Sequence, residues 1–141
     1  MSDHIKKSTL TFLKTLAKNN NRPWFKEHKD RYQDAHQQFK DFVKEVDQEM
    51  AKFDEIEKTK IFRIYRDVRF SKDKTPYKNV FSAGFVREGK RRRGGFYLHI
   101  EPGNSFIGGG FWAPEKDDLY RIRKEIEVDA KPMRKIIQSA A

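Results

Sequence analysis

Between Arg63 and Asn79 the chain reads RIYRDVRFSKDKTPYKN, with six Lys or Arg and two Asp in seventeen residues. Arg63, Arg66 and Arg69 recur every three residues, and Lys72, Lys74 and Lys78 follow. A guanidinium is a planar fork that grips phosphate or carboxylate through two parallel hydrogen bonds. Three of them this close are a candidate grip on an anionic ligand. Asp67 would orient the arginines, Asp73 is a second candidate partner for Arg66, and Lys74 and Tyr77 would close the site from the loop. A plainer reading competes with this one. Charged strand residues ordinarily solvate a surface, and an Arg–Asp network can simply hold a sheet together.

A second constellation lies downstream. Tyr97, His99 and Glu101 alternate with Phe96, Leu98 and Ile100 in GFYLHIE. On a strand this puts the three polar side chains on one face, where they can act as acid and base or form the wet side of a half-buried sheet. If that face meets Arg63, Asp67 and Arg69, His99 joins the ligand-binding set.

Other chemistry is weakly signalled. The chain has no Cys, which removes disulfide frameworks and Cys-based zinc sites. His28 and His36 are eight residues apart, not the four of a helical metal pair, and no metal site is read. Gly108-Gly109-Gly110 lacks the Gly-Lys-Ser/Thr ending of a phosphate-cradling loop, so no cofactor is expected. Lys90 to Arg93, a basic run between glycines, reads as a solvated hairpin tip that can also touch phosphate backbones. The twelve Phe and two Trp read as core, without a spaced ladder for base stacking.

Charge narrows the partners. The formal net is +10, and twelve basic against three acidic residues between Lys60 and Arg93 carry nearly all of it. A localised excess is an electrostatic footprint for an anion. An anionic small molecule is the first partner to expect. A nucleic acid using residues 60–93 is the alternative, and a structural or partner-binding domain the third reading. No apolar signal segment opens the chain, and no run approaches the ~20 apolar residues of a membrane span. A cytoplasmic protein is expected.

The elements that must position these residues follow from periodicity. Ser8 or Thr9 starts a short helix with Leu10, Leu13, Leu16 and Ala17 on one face, stopping at Asn19-Asn20-Asn21. Pro23 opens a long helix whose stripe runs from Phe25 through Phe39, Val43 and Met50 to Phe53. Strands are expected over Lys60–Phe70, Asn79–Arg87, Gly95–Glu101 and Ser105–Trp112, joined by tight turns, so largely antiparallel. Within a regular Lys60–Phe70 strand, Arg66 would fall among core residues and need Asp67 or Asp73 as a partner. Helices resume after Pro114 and again from Pro132. The fold class is therefore α+β: a sheet of about four strands packed by a long N-terminal helix, with C-terminal helices. Residues 1–141 read as one domain, and IIQSAA ends inside an apolar helical pattern, so the domain is expected to extend past Ala141.

Arg63-x-x-Arg66-Asp67-x-Arg69-Phe70 followed by Asp73-Lys74-x-x-Tyr77 resembles the signature of a family of bacterial conserved hypothetical proteins, also found in fungi, with a domain of unknown function. Asn19-Asn20-Asn21-Arg22-Pro23-Trp24-Phe25 is similar to its N-terminal pattern of two Asn followed by Trp-Phe. Tyr97-Leu98-His99-Ile100 and the Gly109-Gly110-Phe111 region resemble its later blocks. The resemblance spans nearly the whole chain and implies no particular activity. It also implies a chain that continues beyond Ala141.

Overall fold

The structure is a computed structural model that describes residues 4–139. The chain forms two compact units divided after Gly110. In the first unit, α1 (Lys7–Lys18), α2 (Arg22–Glu27) and α3 (Lys29–Met50) precede β1 (Ile56–Ile61), β2 (Phe81–Arg87), β3 (Gly95–Ile100) and β4 (Phe106–Gly110). The four strands form one antiparallel meander in the order β1-β2-β3-β4. The α+β class and the antiparallel sheet match the expectation.

Helix α1 packs on α3, and α3 lies on β1 and β2. The core is aromatic: Phe12, Phe39, Phe81 and Phe85 are at most 1% exposed. Phe39 and Phe81 stack at 5.4 Å, which ties α3 to β2. Strict alternation along β2 and β3 assigns the faces. Phe81, Ala83, Phe85, Leu98 and Ile100 are buried in the core shared with the helices. Lys60, Ser82, Gly84, Tyr97, His99, Phe106 and Gly108 lie on the opposite face by register.

Two elements differ from expectation. The long helix breaks at His28, which ends α2 and precedes α3. The His28 imidazole Nδ1 lies 2.8 Å from Trp24 O and the ring stacks on Trp24 at 4.1 Å. Side chain and backbone thus compete for the carbonyls that would continue the helix. The helical stripe also ends early, since Phe53 lies beyond Met50 and is 84% exposed.

The expected Lys60–Phe70 strand is the larger difference. Strand β1 begins at Ile56 and stops at Ile61, and Phe62 N–H makes one more bond, to Ser82 O at 3.0 Å. The chain then leaves the sheet. Arg66 N–H donates to Pro76 O at 2.9 Å and Lys78 N–H to Ile64 O at 2.8 Å, around a Tyr65–Tyr77 bridge. Residues 62–80 are therefore a loop closed by its own small ladder. Pro76 has no donor to extend that ladder, and Asp67, Asp73 and Thr75 hydrogen-bond locally instead.

The second unit carries α4 (Lys116–Val128) and α5 (Lys131–Gln138), with Pro132 in the first turn of α5. No helix among the described residues is long and apolar enough to cross a membrane.

Candidate functional site

The basic loop is built from the inside outward. Ile64 and Tyr77 are its buried anchors, at 2% and 6% exposure. The Tyr77 ring stacks on Phe25 of α2 at 4.0 Å, and burial raises its phenol pKa above the ordinary value. Tyr77 is thus part of the core beneath the loop. Its backbone is held at both polar atoms by one side chain: Asn20 Nδ2 donates to Tyr77 O at 2.7 Å, and Tyr77 N–H donates to Asn20 Oδ1 at 3.1 Å. The neighbouring Asn21 does something else, accepting from Trp24 N–H at 2.9 Å to cap α2.

The arginines do not share one task. Arg66 Nη1 donates to Asp73 Oδ2 at 2.6 Å, to Thr75 O at 3.0 Å and to the Thr75 hydroxyl. Its partner is Asp73, not Asp67, and it braces the loop. Asp73 also accepts from Thr75 N–H, and together these donors hold its carboxyl below the usual range. Asp67 pairs with Arg69 in a two-pronged bond, Nε to Oδ1 at 3.0 Å and Nη2 to Oδ2 at 2.7 Å. The Arg69 guanidinium is the main reason the Asp67 carboxyl is lowered; the Arg63 charge adds to it. Lys74 is exposed, and its Nζ donates to Val68 O at 2.7 Å, which ties the loop. Arg63 is exposed, and among the described residues no hydrogen bond or ion pair holds it. Of the three arginines, Arg63 is uncommitted and Arg69 is paired only at the surface, at 77% side-chain exposure, where such a pair is worth little.

Tyr97, His99 and Glu101 form a continuous chain of hydrogen bonds. Tyr97 Oη lies 3.0 Å from His99 Nδ1, and His99 Nε2 lies 2.8 Å from Glu101 Oε2. Glu101 is further held by Asn104 Nδ2 at 3.1 Å and Asn79 Nδ2 at 3.3 Å. Phe106 stacks on the imidazole at 4.7 Å and 18°. The side chains of His99 and Glu101 are 16% and 26% exposed. Hydrogen bonding from His99, then from Asn104, lowers the Glu101 pKa.

That shift sets a pH dependence. A carboxylate whose folded pKa is depressed stabilises the protein above its unfolded pKa, and the contribution is lost as pH falls through the folded value. Glu101→Gln should therefore cost stability at pH 7 and progressively less below about pH 4.5, near the ordinary Glu value. Urea melts of wild type and variant at pH 7 and pH 3.5 measure this, and an equal cost at both would refute the ionic role.

The loop and the triad meet. Phe62, where the loop leaves β1, has its ring 6.3 Å from the Tyr97 ring, and Asn79, where it returns, reaches Glu101. The polar face of β3 thus lies at the roots of the Arg-rich loop. Strand alternation alone brings His99 into the set, whereas Phe62, Asn79 and Phe106 join it only through the fold. The sequence carries no spaced aromatic ladder, yet sheet register gathers Phe62, Tyr97, His99 and Phe106 into ring contact. At the hairpin tip, Arg92 is engaged by Glu55 at 2.9 Å. Among the described residues no group of three or more His, Asp and Glu is arranged to hold a metal ion.

A family model described as conserved hypothetical protein (DUF2461) matches residues 8–141. No curated protein and no solved structure matches the chain.

Proposed function

The chain belongs to the DUF2461 family of conserved hypothetical proteins, and from its site we propose that it is a binding domain for a phosphate-bearing or otherwise anionic small molecule. The ligand sits where the basic loop is rooted on the Tyr97–His99–Glu101 face. One observation carries this reading: Phe62 and Asn79, the two ends of the loop, both touch the triad. Arg63, adjacent to Phe62, supplies an uncommitted guanidinium, and Arg69 exchanges a surface carboxylate for the ligand. Lys60, whose Nζ lies 5.3 Å from the Phe62 ring, adds positive charge on the same face. Arg66, Asp73 and Lys74 shape the loop, and Asp67 keeps Arg69 in place until the ligand arrives.

Thermal shift tests the reading against inorganic phosphate, sugar phosphates and nucleoside monophosphates. A ligand at 100 times its Kd stabilises by about 2.7 kcal/mol, a shift of several degrees for a domain of this size. At least one anion should give a saturable shift that Arg63→Gln abolishes. No shift with any of them at millimolar concentration would overturn the proposal.

A second reading is favoured by the ring cluster on the sheet. Phe62, Tyr97 and Phe106, with the exposed Lys90 and Arg91 at the hairpin tip, resemble a stacking platform for single-stranded nucleic acid. Its mark is binding to single-stranded oligonucleotides that weakens steeply with salt. Absence of binding at 50 mM salt would remove it.

A further inference from the structure

We propose that Tyr97 is a general acid–base group driven by a Glu101–His99 relay, acting on an anionic small molecule whose reacting group is an acidic O–H or C–H. This rests on the binding reading above and adds chemistry to the same site. Both imidazole nitrogens are engaged, Nε2 by Glu101 and Nδ1 by Tyr97. A carboxylate opposite Nε2 keeps the proton there, which leaves the Nδ1 lone pair to accept the Tyr97 O–H. Glu101 is itself fixed by Asn79 and Asn104, and Phe106 lies flat on the imidazole. The relay therefore has one open end, the Tyr97 hydroxyl.

The surroundings of that end differ from those of a structural hydrogen bond. In register, Tyr97 stands between Gly84 and Gly108. A side-chain carbon at Gly108 would meet nothing within 4 Å, so space borders Tyr97 opposite Gly108, beside the Phe106 ring that lies 5.8 Å from the Tyr97 ring. Phe62 leans over Gly84 on the other side. A substrate entering from the β4 side gives its proton to Tyr97 Oη while the Tyr97 proton passes to His99 Nδ1. The imidazolium so formed is held by Glu101. The return step moves each proton back, so no charge is lost and no co-reactant is consumed.

An arylsulfonyl fluoride tests the relay without any anion. Tyr Oη forms a bond to sulfur, the S–F bond breaks, fluoride leaves, and the phenolic proton goes to His99. General-base assistance is worth roughly 10²–10⁴-fold. At pH 7, peptide mass spectrometry should find Tyr97 modified about 10-fold or more faster than Tyr65 and Tyr120, which are 50% and 61% exposed. His99→Gln and Glu101→Gln should bring Tyr97 down to about the Tyr120 rate without changing Tyr120. If either variant fails to fold, Phe106→Leu, which removes the ring that stacks on the imidazole and lies 5.8 Å from the Tyr97 ring, should slow Tyr97 several-fold. A wild-type Tyr97 no faster than Tyr120, or one indifferent to all three substitutions, overturns the relay. A slow Tyr97 with intact phosphate binding overturns the relay alone. A fast Tyr97 with no phosphate binding overturns the binding reading and leaves the activated tyrosine standing.

Discussion

Asn20→Ala should cost about 2–4 kcal/mol, because it removes the partners of two backbone groups at once and an unsatisfied buried group costs roughly 1–3 kcal/mol. Tyr77 N–H and C=O both depend on the Asn20 carboxamide, and Tyr77 is buried, so water replaces the lost bonds poorly. The neighbouring Asn21→Ala removes only a helix cap and should cost about 1 kcal/mol. Asn20→Asp keeps an acceptor for Tyr77 N–H but turns a carboxylate oxygen toward Tyr77 O, so it should restore little. Urea melts of the three variants give the ordering. If Asn20→Ala is no worse than Asn21→Ala, the clamp is not what holds the loop. Anion binding should fall with the clamp, since Arg63 and Arg69 lie on the loop that Asn20 closes.

Gly95→Ala should be the most damaging single methyl addition in the sheet. A Cβ there would lie 2.3 Å from Phe85 O and 3.3 Å from Phe85 C. Both are backbone atoms of β2, so no side chain can turn aside. Overpacking typically costs about 1–3 kcal/mol and occasionally more, and here relief requires parting β2 from β3. Those strands pair Phe85 with Phe96 and Val86 with Gly95, close to Tyr97 on the same strand. We expect about 3 kcal/mol, a large share of a domain's roughly 5–15 kcal/mol. Gly108→Ala is the control. It adds a methyl into open space and removes the chain freedom of Gly, so it should be neutral or slightly stabilising. Denaturant midpoints that rank the two substitutions equally would contradict this account of the strand pairing.

Much of the fold was legible because its signals are local. The alternation in GFYLHIE and NVFSAGFVR, and the turn at Pro102-Gly103-Asn104, where Gly103 has φ of 80°, mark a meander without reference to distant residues. The Lys60–Phe70 stretch misleads for the same reason. Phe62, Ile64, Val68 and Phe70 keep a period of two, but Val68 and Phe70 belong to a loop, and Phe70 is 96% exposed. What decides between strand and loop is the local competition from Asp67, Asp73 and Thr75, together with the clamp on Tyr77 from Asn20, far upstream in the chain.

The geometry of the candidate site is legible in the sequence only in part. Arg63, Arg66, Asp67, Arg69, Asp73, Lys74, Tyr77 and His99 were singled out as residue types. Their division into Arg66, Asp73, Lys74 and Tyr77, which build the loop, and Arg63, Asp67 and Arg69, which face outward at its surface, depends on pairings that spacing leaves open. Arg66 had two candidate aspartates, one adjacent in sequence and one further along the loop, and the structure selects the more distant. Likewise, Tyr97, His99 and Glu101 follow from strand alternation, whereas Phe62, Asn79 and Phe106 reach them through sheet register and loop closure.

The most direct measurement of the central claim is a backbone amide NMR titration of the full chain with inorganic phosphate at constant ionic strength. Saturable shifts are expected, concentrated at Phe62, Arg63, Arg69, Asn79, Tyr97 and His99, and lost in Arg63→Gln. Shifts that never saturate, or that fall only on Lys90 to Arg93, would contradict it.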